Sequence, residues 1–215
     1  MRIAINGQRL VQKEPAGPEI YTLNIILGLA KVDNQNQYTI LMPYEPPKDI
    51  KKSLYALPSN FVVKILPPKI SWTQISLAWE LWRQKYDLLF SALHTLPILG
   101  LPRVKAVSMI HGLEYKTNQE KLTFPKNLFP GLPEKLTCRF SQELVTPSEH
   151  VKEAILANIK IKDAKHIWVI PEGVNYQIEK LLDQDLDILP VLKKYGIPPN
   201  PYLIFISTIQ PRKNL

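Results

Sequence analysis

The amino-acid sequence predicts an α/β fold built on a doubly wound, mostly parallel β-sheet. Short apolar runs rich in Val, Ile, Leu and aromatic residues recur along the 215 residues, and most are unbroken rather than alternating. Such runs are typical of strands buried on both faces. Longer segments with helical spacing separate them. Strands that alternate with helices indicate parallel strands joined by crossover helices.

Eight strands are predicted from the apolar runs. They are expected at residues 3–5, 38–42, 61–66, 87–91, 105–110, 143–146, 166–170 and 202–207. The chain holds 20 prolines and only 8 glycines. Because each proline fixes φ and removes a backbone donor, this ratio predicts many fixed turns between the elements.

Helices are predicted from apolar spacing and from capping residues. A stripe of apolar side chains predicts a helix over about residues 18–31, and a second over 72–82. Ser148 is the predicted N-cap of a third helix. Residues 178–196 are expected to form one or two helices interrupted by Pro190, with Gly196 as the C-cap signal.

Two aromatic segments are each open to two interpretations. The stripe of Trp72, Ile75, Trp79 and Trp82 favours burial in the core or packing against a neighbouring layer. The alternative is an interfacial helix on a membrane, where tryptophan and basic charge are both favourable. Residues 121–135 contain several prolines, which argue against regular structure. They are predicted as a mobile acceptor or membrane loop, or as a solvated connection between strands.

Composition and charge exclude several classes of protein. The net charge of +8 predicts an anionic partner, but the scattered lysines lack a zinc-finger or RRM signature, so nucleic acid is not expected. No apolar run approaches the ~20 residues of a membrane span, and the first residues lack the features of a signal peptide. The lone Cys138 excludes an internal disulfide and fits a reducing cytoplasm. Neither a metal site nor a Gly-x-Gly-x-x-Gly dinucleotide motif is present in the sequence.

Several motifs follow one another along the chain. They are Gly-x-Glu-x-Tyr-x-x-Asn at 17–24, an apolar strand at 87–91 leading to His94, a strand ending in His-Gly-Leu at 108–113, Thr-Pro-Ser-Glu at 146–149, Ile-Pro-Glu-Gly-Val-Asn at 170–175 and Pro-Arg-Lys-Asn-Leu at 211–215. In this order they resemble glycosyltransferase family 4, the retaining GT-B enzymes. The chain departs from the family pattern at Gly112, where the family has aspartate, at Ser207, where it has glycine, and at Thr208, where many members have arginine.

The resemblance implies a division into three segments. Residues 1–172 would form an acceptor-side Rossmann-like domain, the N-terminal half of a GT-B fold. Residues 173–200 would form hinge or linker helices, and residues 201–215 the start of the nucleotide-sugar-binding domain. The family's paired glutamates, Glu-x7-Glu, belong to the remainder of that domain, so residues 1–215 alone are expected to be inactive.

The resemblance also implies the site residues. His111 would be the catalytic residue that approaches and orients the sugar, and His94 would line the acceptor pocket. Gly17, Arg212 and Lys213 would bind the donor phosphates, whose charge grows as the anomeric bond breaks. From the residues alone, the two histidines could equally be structural, and Gly17 could be a turn glycine that needs positive φ. Arg212 and Lys213 could likewise be exposed cations on a solvated turn.

The expected function is transfer of a mannose- or glucose-type hexose from a nucleotide-diphosphate sugar to a glycan or lipid-linked acceptor, with retention and without metal or cofactor. The expected setting is polysaccharide biosynthesis in the cytoplasm, peripheral at the inner face of an anionic membrane. Alternatives are a GT-B epimerase or phosphorylase, and a non-catalytic Rossmann-like module that partners a transferase.

Overall fold

The computed structural model describes residues 1–67, 71–113, 131–161, 166–173, 187–201, 203 and 205. The chain divides into two compact units, Met1–Pro171 and Glu172–Leu215. The roles expected for the three segments of the chain remain predictions.

Seven strands form one sheet in the first unit. They are β1 (Arg2–Asn6), β2 (Gln37–Met42), β3 (Phe61–Ile65), β4 (Leu88–Ser91), β5 (Lys105–Met109), β6 (Glu143–Thr146) and β7 (Ile167–Val169). All neighbours pair in parallel, in the order β3-β2-β1-β4-β5-β6-β7. The predicted parallel α/β sheet is confirmed, and the eighth predicted strand, at 202–207, falls largely outside the described residues.

Five α-helices accompany this sheet in the described part of the first unit. They are α1 (Gly17–Val32), α2 (Lys48–Tyr55), α3 (Ala78–Arg83), α4 (Leu132–Phe140) and α5 (Glu149–Asn158). The same described ranges hold two 3₁₀ helices, Gln8–Val11 and Ile98–Arg103, and a π-helix, Trp72–Leu77, which runs directly into α3. The predicted cap of α5 is present, since Ser148 Oγ accepts a hydrogen bond from the Val151 amide at 3.3 Å.

The core has a layer on each face of the sheet. Ile3 and Ile5 of β1 pack into one cluster with Ile26 of α1, whereas Ala4 packs into another with Leu81 of α3. Successive side chains of a strand point to opposite faces, so β1 contributes to both layers. The chain winds from β1 outward to β3 and then returns to β4 on the other side. The carboxyl ends of β1 and β4 therefore border the switch point where open α/β sheets bind ligands.

Burial in the core, one of the two placements preferred for the tryptophan stripe, is wrong for three of its four residues. Trp72 is buried and its Nε1 donates to the Leu66 carbonyl at 3.1 Å. Ile75, Trp79 and Trp82 are exposed. The physical reason is the π-helical start of the segment, which bonds i to i+5 and so rotates the following residues relative to an α-helical stripe. The face that turns inward instead carries Leu77 and Leu81.

The prediction of irregular structure over 121–135 is wrong at its end. Residues 114–130 lie outside the described part of the chain, but α4 begins at Leu132 and contains Pro133. A proline in the first turn of a helix removes an amide that has no intrahelical partner, so it does not oppose the helix. The preceding residue, Gly131, has a left-handed φ of 70°.

The second unit contains α6 (Leu189–Lys194), in which Pro190 again occupies the first turn. The Ile197 amide donates to the Leu192 carbonyl at 2.9 Å and Gly196 has a φ of 65°, which confirms the predicted C-cap glycine. Residues 178–186 lie outside the described part. Among the described residues of the whole chain, no helix combines the length and hydrophobicity needed to cross a bilayer.

Candidate functional site

The two predicted site histidines meet at the carboxyl edge of the sheet. His94 follows β4 and His111 follows the neighbouring strand β5. The backbone amide of His111 donates to His94 Nε2 at 3.3 Å, and the two ring centroids lie 6.0 Å apart. The parallel order of β4 and β5 thus brings together two residues 17 positions apart in the chain.

Helix α4 holds His94 from its other side. Thr137 Oγ1 donates to the His94 carbonyl at 2.9 Å, and Glu134 Oε1 lies 3.9 Å from His94 Nδ1. Because Nε2 accepts a hydrogen bond, the proton of a neutral His94 ring resides on Nδ1, facing Glu134. Burial acts to raise the pKa of Glu134, but His94 and the Glu134 backbone amide outweigh it, so that pKa is lowered. The carboxylate therefore stays charged beside the ring.

The His111 ring contacts α1. Tyr21 packs edge-on against it, with ring centroids 5.0 Å apart and an angle of 87° between the rings. Edge-to-face packing of this kind fixes the orientation of both rings. Gly17 precedes Tyr21 by one helical turn, so it lies on the same side of α1 at the start of the helix. The structure therefore brings three predicted residues, Gly17, His94 and His111, to one end of the sheet.

Gly17 is the first residue of α1 and faces open space. A Cβ added at Gly17 would meet no atom within 4 Å. The glycines with positive φ in the described part of the chain are Gly131 and Gly196, so the alternative interpretation of Gly17 as a positive-φ turn residue is wrong. The backbone at this helix start can be approached closely.

Glu19 secures the same helix start from within. Its Oε2 accepts the Ala16 amide at 2.9 Å and its Oε1 accepts from Arg9 Nε. Glu19 is only 1% exposed, so its carboxylate is a buried member of an ion pair whose other member, Arg9, is about half exposed. Burial acts to raise the pKa of Glu19, but the bonds from Arg9 and from the backbone lower it overall. Arg9 compensates a negative charge that would otherwise oppose an anion at this helix end.

Two residues at the end of β1 were not predicted as part of this edge. Asn6 is buried, and its Nδ2 donates to Ser91 Oγ of β4 at 3.2 Å, which joins the two strands at the switch point. Gly7 follows it, and a Cβ there would lie 2.8 Å from Met42 Cγ and 3.1 Å from the Leu41 carbonyl oxygen. The signal in the sequence was an Asn-Gly pair directly after an apolar strand.

The remaining predicted site residues, Arg212 and Lys213, lie outside the described residues. Within the described ranges, no group of three or more His, Cys, Asp or Glu side chains could hold a metal ion.

Comparison with known families decides the class of this chain. The sequence profile described as Glycosyltransferase Family 4 matches residues 15–177, well over half of the 215 residues. The chain belongs to glycosyltransferase family 4. The motifs that resemble this family over residues 17–175 lie within the matched region. A search of curated protein sequences gave no match.

Solved structures show the fold of this family 4 chain. HepE from Anabaena, in complex with UDP and glucose, superposes with a TM-score of 0.57 at 18% identity over 90% of the chain. A putative UDP-N-acetylglucosamine 2-epimerase from Listeria monocytogenes superposes with a TM-score of 0.57 at 15% sequence identity over 91% of the chain. UGT2 from Phytolacca americana, in complex with UDP-2-fluoro-glucose and pterostilbene, superposes with a TM-score of 0.51 at 13% sequence identity over 90% of the chain.

These likenesses confirm the predicted Rossmann-like half of a GT-B fold. The chain covers 50%, 51% and 57% of the three structures, so it spans about half the length of each. Transferases and epimerases share this architecture. At such low identities the likeness shows the fold, and chemistry has to be argued from the residues.

Proposed function

We propose that this family 4 chain forms the acceptor-side part of an enzyme that transfers a mannose- or glucose-type hexose from a nucleotide-diphosphate sugar, with retention, to a glycan or lipid-linked acceptor. The observation that carries the proposal is the position of His111 at the carboxyl edge of the sheet, one strand from the switch point, with its ring against Tyr21 and its backbone bonded to His94. A rigid polar group at this edge suits recognition of a bound sugar.

The start of α1 is the proposed contact for the donor phosphates from this half of the enzyme. A helix start directs unpaired amides and a positive dipole toward an anion. The open space at Gly17 permits close approach of a phosphate, and Arg9 offsets the charge of Glu19. Arg212 and Lys213 are proposed, on the sequence motif alone, to supply the cations that stabilise the leaving diphosphate.

His111 is the proposed catalytic residue. It would donate a hydrogen bond to a sugar hydroxyl and hold the anomeric carbon close to the acceptor, an arrangement that lowers the barrier by positioning. His94 is proposed to line the acceptor pocket. Its hydrogen bond to the His111 backbone supports a positioning contribution, because the bond fixes where the His111 loop lies.

The test is nucleotide release and product formation by the full-length gene product with a panel of nucleotide-diphosphate hexoses and glycan or lipid-linked acceptors. We expect turnover with one donor class. We expect His111→Ala to lower kcat by about 10²-fold, the usual cost of losing one oriented hydrogen bond at a reacting centre. Lys213→Ala should also lower kcat, because its cation is proposed to stabilise charge that develops on the leaving diphosphate. His166→Ala, at an exposed histidine paired with Glu143, is the control. Turnover that is insensitive to His111→Ala would remove this residue from the site.

A second candidate is a GT-B epimerase, because the putative UDP-N-acetylglucosamine 2-epimerase from Listeria monocytogenes superposes with the same TM-score as the HepE structure, 0.57. The same preparation distinguishes the two functions. An epimerase converts the donor in the absence of any acceptor, which proton NMR of the sugar detects as inversion at C2. A transferase leaves the donor sugar unchanged until an acceptor is present.

A further inference from the structure

An exposed apolar face lies on the outside of the helical segment that ends in α3. Trp79 is 67% exposed, and Ile75 and Trp82 are 41% exposed each. These three residues follow at intervals of four and three, so they share one side of the helix. Leu99, on the adjoining 3₁₀ helix, is 65% exposed and its carbonyl accepts from Trp82 Nε1 at 2.6 Å. These four residues form what we call the tryptophan face.

The tryptophan face is held rigidly. The side chain of Gln74 clamps the neighbouring segment with two hydrogen bonds: Nε2 donates to the Leu96 carbonyl at 2.7 Å and Oε1 accepts the Ile98 amide at 3.0 Å. Gly100 approaches α3 so closely that an added Cβ would lie 3.1 Å from the α-carbon of Ala78. The apolar side chains are therefore presented by packed backbone, and their exposure is built into the fold.

Cations outnumber exposed carboxylates around this face: Arg83, Lys85 and Arg103 lie on or beside its two segments, and Asp87 shares a surface depression with Arg103. Glu80 is the only carboxylate in the sequence of residues 72–83 and 98–103. It is buried between Lys64, at 2.6 Å, and Arg83, at 3.6 Å. The guanidinium of Arg103 lies over the Trp82 ring, 4.3 Å from its centroid, and Lys85 follows the helix. A rigid apolar surface is thus bordered by cations without an exposed carboxylate of its own.

We propose that the tryptophan face docks on the surface of an anionic lipid bilayer. Indole rings favour the boundary between headgroups and acyl chains, and neighbouring arginine and lysine gain from anionic headgroups. The face is small: the segments that carry it, Trp72–Arg83 and Ile98–Arg103, hold 12 and 6 residues, several of them buried, against the roughly 20–30 residues a side of a stable protein interface. Together with the excess of cations, this size favours a lipid surface over a second copy of the chain. The proposal concerns an outer face of the α/β layer and does not rest on the sugar-transfer activity.

The test is co-sedimentation of the 215-residue chain with vesicles of phosphatidylcholine, with and without phosphatidylglycerol. We expect binding to the anionic vesicles that weakens as salt is raised, with a blue shift of tryptophan emission. Trp79→Gln should weaken partitioning about tenfold, as expected when a large apolar side chain is lost from the contact. Arg103→Gln should weaken it roughly fivefold, the usual effect of one surface cation.

Trp168→Gln is the matched control, because Trp168 is 58% exposed on β7 and lies outside the tryptophan face. It should bind vesicles like the wild-type chain, and circular dichroism should show that all variants are folded. Absence of vesicle binding by the wild-type chain, or equal losses in Trp79→Gln and Trp168→Gln, would overturn the proposal. So would a concentration-dependent dimer in size-exclusion chromatography that Trp79→Gln abolishes, since the face would then be a contact between copies.

Discussion

The backbone amide of His111 donates to Nε2 of His94 at 3.3 Å. The bond joins the loops that follow two adjacent strands. Helix α4 holds His94 in position for this bond through Thr137 and Glu134. His94 is thus an anchor for the loop that carries His111, whatever it contacts on the acceptor side. A change at His94 is therefore expected to reach His111 without touching a ligand.

Replacement of His94 tests this anchor. His94→Ala leaves the His111 amide without its acceptor and should lower the free energy of unfolding by about 1–2 kcal/mol, measured by urea denaturation. His94→Gln can present an amide oxygen to the same N–H and should recover part of the loss. His166→Ala, at an exposed histidine that directly precedes β7, should change stability by less than about 0.5 kcal/mol. Equal losses for His94→Ala and His94→Gln would show that the hydrogen bond contributes nothing.

The ion pair between half-exposed Arg9 and buried Glu19 predicts a pH-dependent stability. The pKa of Glu19 is lowered from 4.5 in the folded chain, so its contribution is fully present above about pH 4.5 and is lost as the pH falls through the folded pKa. Glu19→Gln should lower the free energy of unfolding by about 1–2 kcal/mol near neutral pH, a modest figure because Arg9 is half-exposed. The difference from the wild-type chain should shrink in acid.

Urea denaturation between acid and neutral pH measures this effect. Comparison of the double variant Arg9→Gln/Glu19→Gln with the two single variants gives the interaction free energy between the two side chains, apart from the effect of each residue alone. A wild-type advantage over Glu19→Gln that persists unchanged into acid would contradict the assignment of the stabilisation to the charged carboxylate.

Two glycines of the site should respond oppositely to alanine. Gly7→Ala forces a Cβ to 2.8 Å from Met42 Cγ and 3.1 Å from a backbone oxygen, and overpacking of this kind should cost about 1–3 kcal/mol. Gly17→Ala meets open space and should leave stability unchanged or raise it by up to about 1 kcal/mol, because alanine favours the helix. Thermal denaturation of both variants checks the contrast. In the full-length enzyme, Gly17→Ala should nonetheless weaken donor binding if the phosphate lies against this backbone.

The buried thiol of Cys138 should be unreactive in the folded chain. Burial, assisted by the charge of Glu134, raises its pKa to about 12, and the thiolate is the reactive form. Ellman's reagent at mildly alkaline pH should therefore label Cys138 only as fast as the protein opens, and one thiol per chain should react at once in denaturant. Rapid stoichiometric labelling under native conditions would contradict this placement.

Much of the fold followed from local patterns, and part of the site did too. Seven predicted strands, the Ser148 cap and the Gly196 C-cap are present, because apolar runs and caps act within a few residues. The prediction that the tryptophan stripe is buried in the core was wrong for three of its residues, because a π-helical start changed the face that the helix buries. Asn6 and Ser91, which are 85 positions apart, could not be paired without the strand order.

By itself the sequence determined the class of fold and the family, because strand patterning and motif order are properties of the linear chain. It also placed His111 and His94 after apolar strands and Gly17 at a helix start. The tertiary structure decided that β4 and β5 are neighbours, and hence that the His111 amide bonds to His94 while Tyr21 meets the His111 ring. It also turned Trp79 outward and Glu19 inward. Packing of this kind depends on elements distant in sequence, which no local pattern specifies.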